Sequence, residues 1–258
     1  MDLQWTPDAD RARAEVRTFL DEHAPDGEFP ADFARRLAAA GFVAPHWPTP
    51  WGRAAGPWEQ LAIDDELRAA NAPRPMNPIG IGWAGPTLLV AGNDEQQQRY
   101  LPGLLDGSEL WCQLFSEPGA GSDLASLQTR AVRDGDEFVV NGQKVWTTLA
   151  HYARFGILLA RTNDDPAVAD QNSITYFVVD MRTPGITVRP LVQMTGTHEF
   201  NEVFFDDVRI PASNVVGTID YRPRFHKIDV TIAPGKATMA VADTIRRLGR
   251  YPIVAPHA

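Results

Sequence analysis

The spacing of apolar residues changes once along the chain, near residue 108, and this change limits the folds that the chain can adopt. Before that point apolar residues recur three or four positions apart, as Ala12, Val16 and Leu20 do in the first segment. After it, short runs of β-favouring residues are separated by turn-forming residues. The sequence therefore predicts a helical region followed by a β-rich region.

Residues at the ends of the helical segments match known start and stop signals. Asp8 or Asp10 can cap the first helix, and Gly41 can end the second. Further along, Asn93 and Gln96 have the spacing of a capping box, which predicts a helix beginning just after Asn93.

The β-rich region contains about seven short strands with the spacing that is typical of a sandwich or barrel. Asp134-Gly135 and Asn141-Gly142 each predict a hairpin turn. We therefore predict an α+β fold with an all-α domain over 1–108 and an antiparallel β-barrel or sandwich domain over 109–217. A divergent tail follows over 218–258, with one short helix expected near 238–248.

Composition excludes several classes of protein. The chain has 258 residues, a formal net charge of −9 and no basic stripe, which argues against nucleic-acid binding. Cys112 is the single cysteine, so no internal disulfide can form, and the six histidines lack ligand spacing, so no metal is expected. The first residues do not read as a signal peptide, and no apolar run could span a membrane. We expect a cytoplasmic protein.

The segment SEPGAGSDLAS, residues 116–126, places small residues between two acids. Consecutive amides at Gly119, Ala120 and Gly121 could form a concave anion-binding nest. We expect Gly121 to have a positive φ or to meet a ligand closely. The alternative is a tight Pro-Gly turn with a solvated acid at each end. The run lacks the third glycine of a dinucleotide fingerprint and the Gly-Lys-Ser/Thr of a triphosphate loop.

A second candidate lies in the segment KVWTT, residues 144–148. Regular alternation along a strand predicts that Lys144, Trp146 and Thr148 share one face. The flat indole and the hydroxyl two residues on are what a flavin ring needs: a surface to pack on and a hydrogen-bond donor. The alternative is a barrel tryptophan beside a β-favouring threonine.

Taken together, three motifs resemble the acyl-CoA dehydrogenase family of flavoproteins. They are FSEPGAGSD (115–123), NGQKVWTT (141–148) and MTGTHEFNEVFFDDVRIPASNVVG (194–217), and the resemblance extends over residues 1–217. It implies an FAD-dependent oxidoreductase of lipid metabolism, acting on the CH–CH group of an acyl-CoA thioester.

The resemblance also implies a set of cofactor-binding residues: Phe115, Ser116, Gly121, Ser122, Trp146 and Thr148. The Phe115 amide and the Ser116 hydroxyl and amide would face the pyrimidine edge of the flavin. Trp146 would cover the flavin face opposite the substrate, and Thr148 would hydrogen-bond near N5. Ser122 would contact the cofactor and the pantetheine arm of the substrate.

In this family a glutamate removes the α-proton, the β-hydrogen leaves as hydride to the flavin, and electrons pass to an acceptor such as electron-transfer flavoprotein. The base usually lies in a C-terminal four-helix bundle, whereas the resemblance here ends near Gly217. We therefore assign no base, and Glu117 and Asp123 are expected to belong to the structure of the loop. The chain is expected to be a fragment, or half of a split enzyme in a homo- or hetero-oligomer.

Two other interpretations remain open. The chain could be a non-catalytic assembly subunit that binds acyl-CoA or flavin without reaction. It could also belong to a related flavoenzyme, an acyl-CoA oxidase or a flavin-dependent monooxygenase. Reduction of the flavin by acyl-CoA would separate an enzyme from a binding subunit, and peroxide production would indicate an oxidase.

Overall fold

The computed structural model describes residues 5–163, 165 and 173–219, and their contacts divide into two compact units. The first unit comprises residues 5–77 and 100–108. The second comprises 78–99 and the described residues from 109 onward. The helix predicted near 238–248 lies outside the described residues, and the boundaries of the predicted domains stay predictions.

The first unit contains the helices α1 (Pro7–His23), α2 (Phe33–Ala39) and α3 (Pro57–Ala69), together with residues 100–106 of a later helix. Each helix turns one apolar stripe inward, as the spacing of the sequence predicts. The resulting core is formed by the buried residues Ala12, Val16, Leu20, Phe33, Leu37, Phe42, Ala55, Ile63 and Leu67. Burial of a side chain such as Val16 or Ile63 contributes roughly 1.5–3 kcal/mol.

The ends of these helices are only partly as predicted. Gly41 has a φ of 74° after the end of α2, which confirms its role as a stop. The prediction that Asp8 or Asp10 caps α1 is wrong, because the Thr6 hydroxyl accepts the Ala9 amide at 3.2 Å. Both aspartates lie in the first turn instead, where their negative charge interacts favourably with the helix dipole.

Two further helices follow a π-helical turn at Gly80–Ala84, namely α4 (Gly85–Ala91) and α5 (Asp94–Asp106). The capping box is confirmed: Asn93 Oδ1 accepts the Gln96 amide at 2.8 Å, and Gln96 Oε1 accepts the Asn93 amide at 3.2 Å. Gln96 Nε2 also donates to the carbonyl oxygens of Ser213 (2.8 Å) and Val215 (2.7 Å). One buried amide therefore caps α5 and holds the chain that leaves the sheet.

A seven-stranded sheet forms the body of the second unit, with the strand order β1-β4-β2-β3-β7-β6 and β5 paired to β4. Its strands are β1 (Trp111–Leu114), β2 (Arg130–Asp134), β3 (Glu137–Thr148), β4 (Phe155–Arg161), β5 (Ile174–Asp180), β6 (Ile186–Leu191) and β7 (Phe200–Pro211). The prediction of helices followed by a β domain is confirmed. The sheet is mixed, because β4 runs parallel to β1 and to β2, while the other pairs are antiparallel.

Of the two predicted hairpins, only one is present. The hairpin predicted at Asp134-Gly135 is present: β2 ends at Asp134, and Gly135, with a φ of 63°, and Asp136 connect it to β3. The prediction of a hairpin at Asn141-Gly142 is wrong, because both residues lie within β3. The register of β3 against β7 shifts at this point. Gly142 is needed for a different reason: it has a φ of 153°, and an added Cβ would lie 2.5 Å from the Thr129 hydroxyl.

The second unit has its own apolar core, to which all seven strands except the edge strand β6 contribute fully buried residues, such as Leu114, Val140 and Phe177. Because most of β7 and the first part of β3 bury alternate residues on this core, their register is strongly specified. Within the described ranges, no helix has the length and apolar character needed to cross a membrane.

We expect Gln96→Ala to lower the free energy of unfolding by about 2 kcal/mol, because it removes half of a cap, leaves the buried Val215 carbonyl oxygen without this donor and removes the partly buried bond to Ser213. Gln98→Ala is the matched control, since Gln98 is exposed on the same helix and should change stability by less than about 0.5 kcal/mol. Urea unfolding of both variants checks this. Equal effects would show that the Gln96 contacts contribute nothing specific.

Candidate functional site

The residues that follow β1 lie alongside β3. The Ser116 carbonyl oxygen accepts the Val145 amide at 2.9 Å, which places Ser116 beside Val145, the residue before Trp146. Phe115 is buried and Ser116 is half-buried. The Ser116 amide donates to no acceptor in the part of the chain that the structure describes. An unpaired backbone donor in such a position is uncommon and is available to a ligand.

A buried ion pair lies directly beneath this segment. Lys144 Nζ donates to Glu117 Oε1 at 2.8 Å and to the Phe115 carbonyl oxygen at 3.0 Å. The Glu117 carboxylate also accepts the amides of Gln128 (2.6 Å) and Thr129 (2.9 Å). The side chain of Lys144 is 0% exposed and that of Glu117 is 6% exposed. The pair thus joins β3 to the segments on either side of the loop.

Burial and pairing act in opposite directions on these two groups. Burial lowers the pKa of Lys144 to about 8, although the Glu117 carboxylate opposes this shift. Burial alone would raise the pKa of Glu117. The charge and hydrogen bond of Lys144, with the hydrogen bonds from residues 128 and 129, outweigh burial and lower that pKa. Glu117 is therefore a structural carboxylate held in its ionised form.

The loop that follows Glu117 is a tight turn. The Glu117 amide donates to the Ala120 carbonyl oxygen at 2.8 Å, and the Ala120 amide donates back at 3.1 Å. The predicted nest of three consecutive free amides is therefore wrong, because the Ala120 amide is used inside the turn. The alternative, a tight Pro-Gly turn with a solvated acid at each end, is correct for the turn and for Asp123, which is exposed. It is wrong for Glu117, which is buried.

Gly121 and Ser122 are both exposed at the far side of this turn. The expectation of a positive φ at Gly121 is wrong, because no such angle occurs there. No heavy atom lies within 4 Å of a Cβ added to Gly121. The chain's own packing therefore does not require glycine at this position.

Trp146 is turned outward by a β-bulge. β3 pairs with β7 at Lys144 and again at Thr147, so Val145 and Trp146 together oppose one residue of β7. The prediction that Lys144 shares a face with Trp146 is therefore wrong: Lys144 and Thr147 are buried, whereas Trp146 is 62% exposed. A bulge adds one residue and reverses the alternation on which that prediction depended.

The backbone at Trp146 is in the left-handed region, with a φ of 61°. Such a conformation is rare for a bulky residue and is associated with strain at functional sites. Phe200 makes a T-shaped contact with the indole, with ring centroids 6.1 Å apart and an interplanar angle of 84°. Phe200 is also the register partner of Thr148, so Trp146 and Thr148 both lie beside Phe200 at this end of β3.

Asn201, which the sequence reasoning missed, supports the bulge from inside the sheet. Its Nδ2 donates to the carbonyl oxygens of Thr147 (2.9 Å) and Glu199 (3.3 Å). Its Oδ1 must then face His151 Nδ1, 3.0 Å away, so that nitrogen carries the proton. The signal was present in the sequence, since Asn201 occupies the buried phase of β7 together with Val203 and Phe205.

Other candidates carry no chemistry in this arrangement. Burial raises the pKa of the Cys112 thiol, so Cys112 is no nucleophile. In the ranges that the structure covers, no three side chains of His, Cys, Asp or Glu come together as metal ligands. A cavity of about 480 Å³ lies beside the loop and is lined by residues such as Gln128 and Gln143. None of the six predicted cofactor-binding residues lines that cavity.

Comparison with known proteins agrees with the motifs. The model of the acyl-CoA dehydrogenase N-terminal domain matches residues 6–108, and that of the middle domain matches residues 112–208. The chain belongs to the acyl-CoA dehydrogenase family. The acyl-CoA dehydrogenase FadE34 of Mycobacterium tuberculosis is 52% identical over 209 residues. That match covers 81% of this chain but only 29% of the relative.

Solved structures of the family show the same architecture. The Tcur3481-Tcur3483 steroid ACAD is 31% identical with a TM-score of 0.65, over 96% of this chain and 66% of that chain. The ChsE4-ChsE5 complex from Mycobacterium tuberculosis is 27% identical with a TM-score of 0.66, over 96% of this chain and 75% of that chain.

The ion pair predicts a specific pH dependence. Because the pKa of Glu117 is lowered from 4.5, its contribution to stability is complete above about pH 4.5 and is lost as the pH falls through the lowered pKa. Glu117→Gln should be about 3 kcal/mol less stable at pH 7, since it leaves a buried ammonium unpaired. The difference from wild type should shrink below pH 4.5.

Melting temperatures between pH 3 and pH 7 measure this, with Glu95→Gln on the exposed face of α5 as the control. A destabilisation by Glu117→Gln that stays constant over this range would contradict the assignment.

Proposed function

We propose that this chain is part of an FAD-dependent acyl-CoA dehydrogenase that introduces an α,β double bond into an acyl-CoA thioester. The observation that carries the proposal is the bulge in β3, which turns Trp146 out in a strained conformation, one residue after Val145, whose amide is hydrogen-bonded to Ser116. Membership of the family supports the reaction class. The helical part over residues 1–108 and the β part over 109–217 are proposed to be the corresponding domains.

The residues present fit a flavin. Trp146 offers an exposed, flat surface and is in T-shaped contact with Phe200. Thr148 lies at the same end of the strand and provides a hydroxyl. FAD, when bound, supplies an acceptor for the hydride that leaves the β-carbon. Trp146 would bind one face of the ring, and Thr148 would donate a hydrogen bond near N5.

Ser116 and Phe115 would act at the pyrimidine edge of the ring. Fixed backbone donors stabilise negative charge that develops during a reaction, because they need not reorient at that moment. The Ser116 amide meets this requirement, since it has no competing acceptor among the described residues. The Ser116 hydroxyl adds a second donor on the same residue.

The loop after Ser116 is proposed to receive the substrate. Gly121 and Ser122 are exposed, and the space around Gly121 is open, so the pantetheine arm could approach the backbone there. Ser122 would provide the polar contact to both the substrate and the cofactor. A steroid side-chain thioester belongs among the substrates tested, because a relative of 31% identity is named a steroid ACAD.

The catalytic base is proposed to lie outside residues 5–219. Glu117 cannot serve, because Lys144 and two backbone amides occupy its carboxylate. Asp123 is exposed on the loop and is proposed to be structural. The ChsE4-ChsE5 structure shows that a relative forms a complex of two named chains, which supports a hetero-oligomer here. An electron-transfer flavoprotein is the proposed acceptor.

The main test is an anaerobic titration of the purified protein with FAD and a panel of acyl-CoA thioesters, including straight-chain and steroid side-chain members. Bleaching of the flavin band by at least one thioester is expected, with an enoyl-CoA as the product. Flavin binding without bleaching, in the presence of any co-purifying subunit, would favour a binding subunit. Peroxide formation in air would instead favour an oxidase.

Trp146→Leu should lower flavin affinity by at least about tenfold, since it removes the aromatic surface. Trp58→Leu is the matched control, because Trp58 is another exposed tryptophan and lies in the first unit. Fluorescence titration with FAD measures both variants, and circular dichroism checks that they fold. Equal flavin affinity in Trp146→Leu and wild type would place the flavin elsewhere.

Asp123→Asn should leave the rate of flavin bleaching by the preferred thioester within about threefold of wild type, since loss of a general base typically costs about 10²–10⁴-fold. Stopped-flow absorbance under anaerobic conditions measures this rate. A loss of a hundredfold or more, with flavin and thioester still bound, would identify Asp123 as the base and overturn its assignment as a loop residue.

A further inference from the structure

We propose that Lys144 and Glu117 are positioning residues that set the direction of the Ser116 amide and thereby favour reduced over oxidised flavin. This inference rests on the proposed function, because it assigns a role to residues that do not themselves touch the cofactor. The geometry that carries it is the pair of hydrogen bonds from Lys144 to Phe115 and to Glu117.

The first step of the argument is the planarity of the peptide bond. In a trans peptide the carbonyl oxygen and the following amide hydrogen point in opposite directions. The carbonyl of Phe115 points at Lys144 Nζ, 3.0 Å away, inside the protein. The Ser116 amide of the same peptide group therefore points away from Lys144, and it meets no acceptor among the described residues.

The next peptide group is also fixed. The Ser116 carbonyl oxygen accepts the amide of Val145, the residue that follows Lys144 on β3. Both peptide groups that flank the Ser116 Cα are therefore held by adjacent residues of one strand. This leaves the Ser116 backbone little freedom to turn its amide inward, which is the preorganisation that a donor to a developing anion requires.

Glu117 completes the arrangement from the other side. Its carboxylate holds Lys144 Nζ at 2.8 Å and is itself held by the amides of Gln128 and Thr129. The ammonium therefore cannot swing away from the Phe115 carbonyl. With a pKa lowered to about 8, Lys144 still keeps its proton at neutral pH.

Stability alone gives little reason for this pair. Replacing a buried ion pair by apolar side chains of similar volume is often neutral or stabilising, because desolvation of the charges opposes their attraction. A methionine at position 144 could fill the same space, but it has no hydrogen to donate to the Phe115 carbonyl. Positioning of the Ser116 amide supplies the function that an apolar pair would lack.

The test compares wild type with Lys144→Met and with the double variant Lys144→Met/Glu117→Gln, which removes both buried charges and so avoids leaving one unpaired. Affinities for oxidised FAD and for chemically reduced FAD are measured separately, together with the melting temperature. We expect both variants to lose at least about tenfold more affinity for reduced than for oxidised flavin, as expected for losing a hydrogen bond to a charged acceptor.

A purely structural pair would give a different result. Both affinities would then fall equally, or only the melting temperature would change, and either outcome would overturn the inference. Arg209→Met is the control, since it removes an exposed ion pair with Asp134 and Glu137 and should change neither affinity.

A readout without flavin separates this inference from the proposed function. In the flavin-free protein, the NMR signal and hydrogen-exchange rate of the Ser116 amide should change in the double variant and stay constant in Arg209→Met. An unchanged Ser116 amide would overturn the positioning role. A wild-type protein that binds neither form of FAD would overturn the proposed function and, with it, the preference for reduced flavin.

Discussion

The ion pair between Lys144 and Glu117 is the interaction on which the arrangement of the site depends. It connects the end of β1, the middle of β3 and the segment that leads into β2, three parts of the chain that are far apart in sequence. A charge in such surroundings is tolerated only when it is paired and hydrogen-bonded, and both groups here meet that condition. This ion pair therefore links the loop and the unpaired Ser116 amide to the start of the bulge.

The strand β3 is the other organising element, because it carries two irregularities with different purposes. The first, at Gly142, lets the strand pass close to Thr129. The second, at Trp146, reverses which side chains face the core and is supported from within by Asn201. Between them lies Lys144. A single strand thus places a buried charge and an exposed indole only two residues apart, which regular alternation forbids.

Most features set by local chemistry were predictable, although the N-cap of α1 is Thr6 and neither Asp8 nor Asp10, and features set by packing across the sheet were not. The change of period, the Gly41 stop, the capping box at Asn93 and the turn at Gly135 depend on neighbouring residues, and all are present. The shared face of Lys144 and Trp146 failed because alternation does not reveal a bulge. The hairpin at Gly142 failed because that glycine meets Thr129 from another strand. The roles proposed for Ser116 and Trp146 come from the resemblance to the family. The supporting role of Asn201 is indicated by its place among the buried residues of β7.

The left-handed backbone at Trp146 has a consequence for how this chain tolerates change. Glycine adopts such a conformation without steric penalty, and asparagine does so more readily than tryptophan. A screen for thermostability without ligand therefore does not select for tryptophan at this position. It selects for residues that adopt the left-handed backbone conformation with less strain. Variants collected in that way would drift toward small residues at position 146. With the flavin-binding role proposed for Trp146, selection for heat resistance and selection for flavin binding therefore favour different residues at position 146.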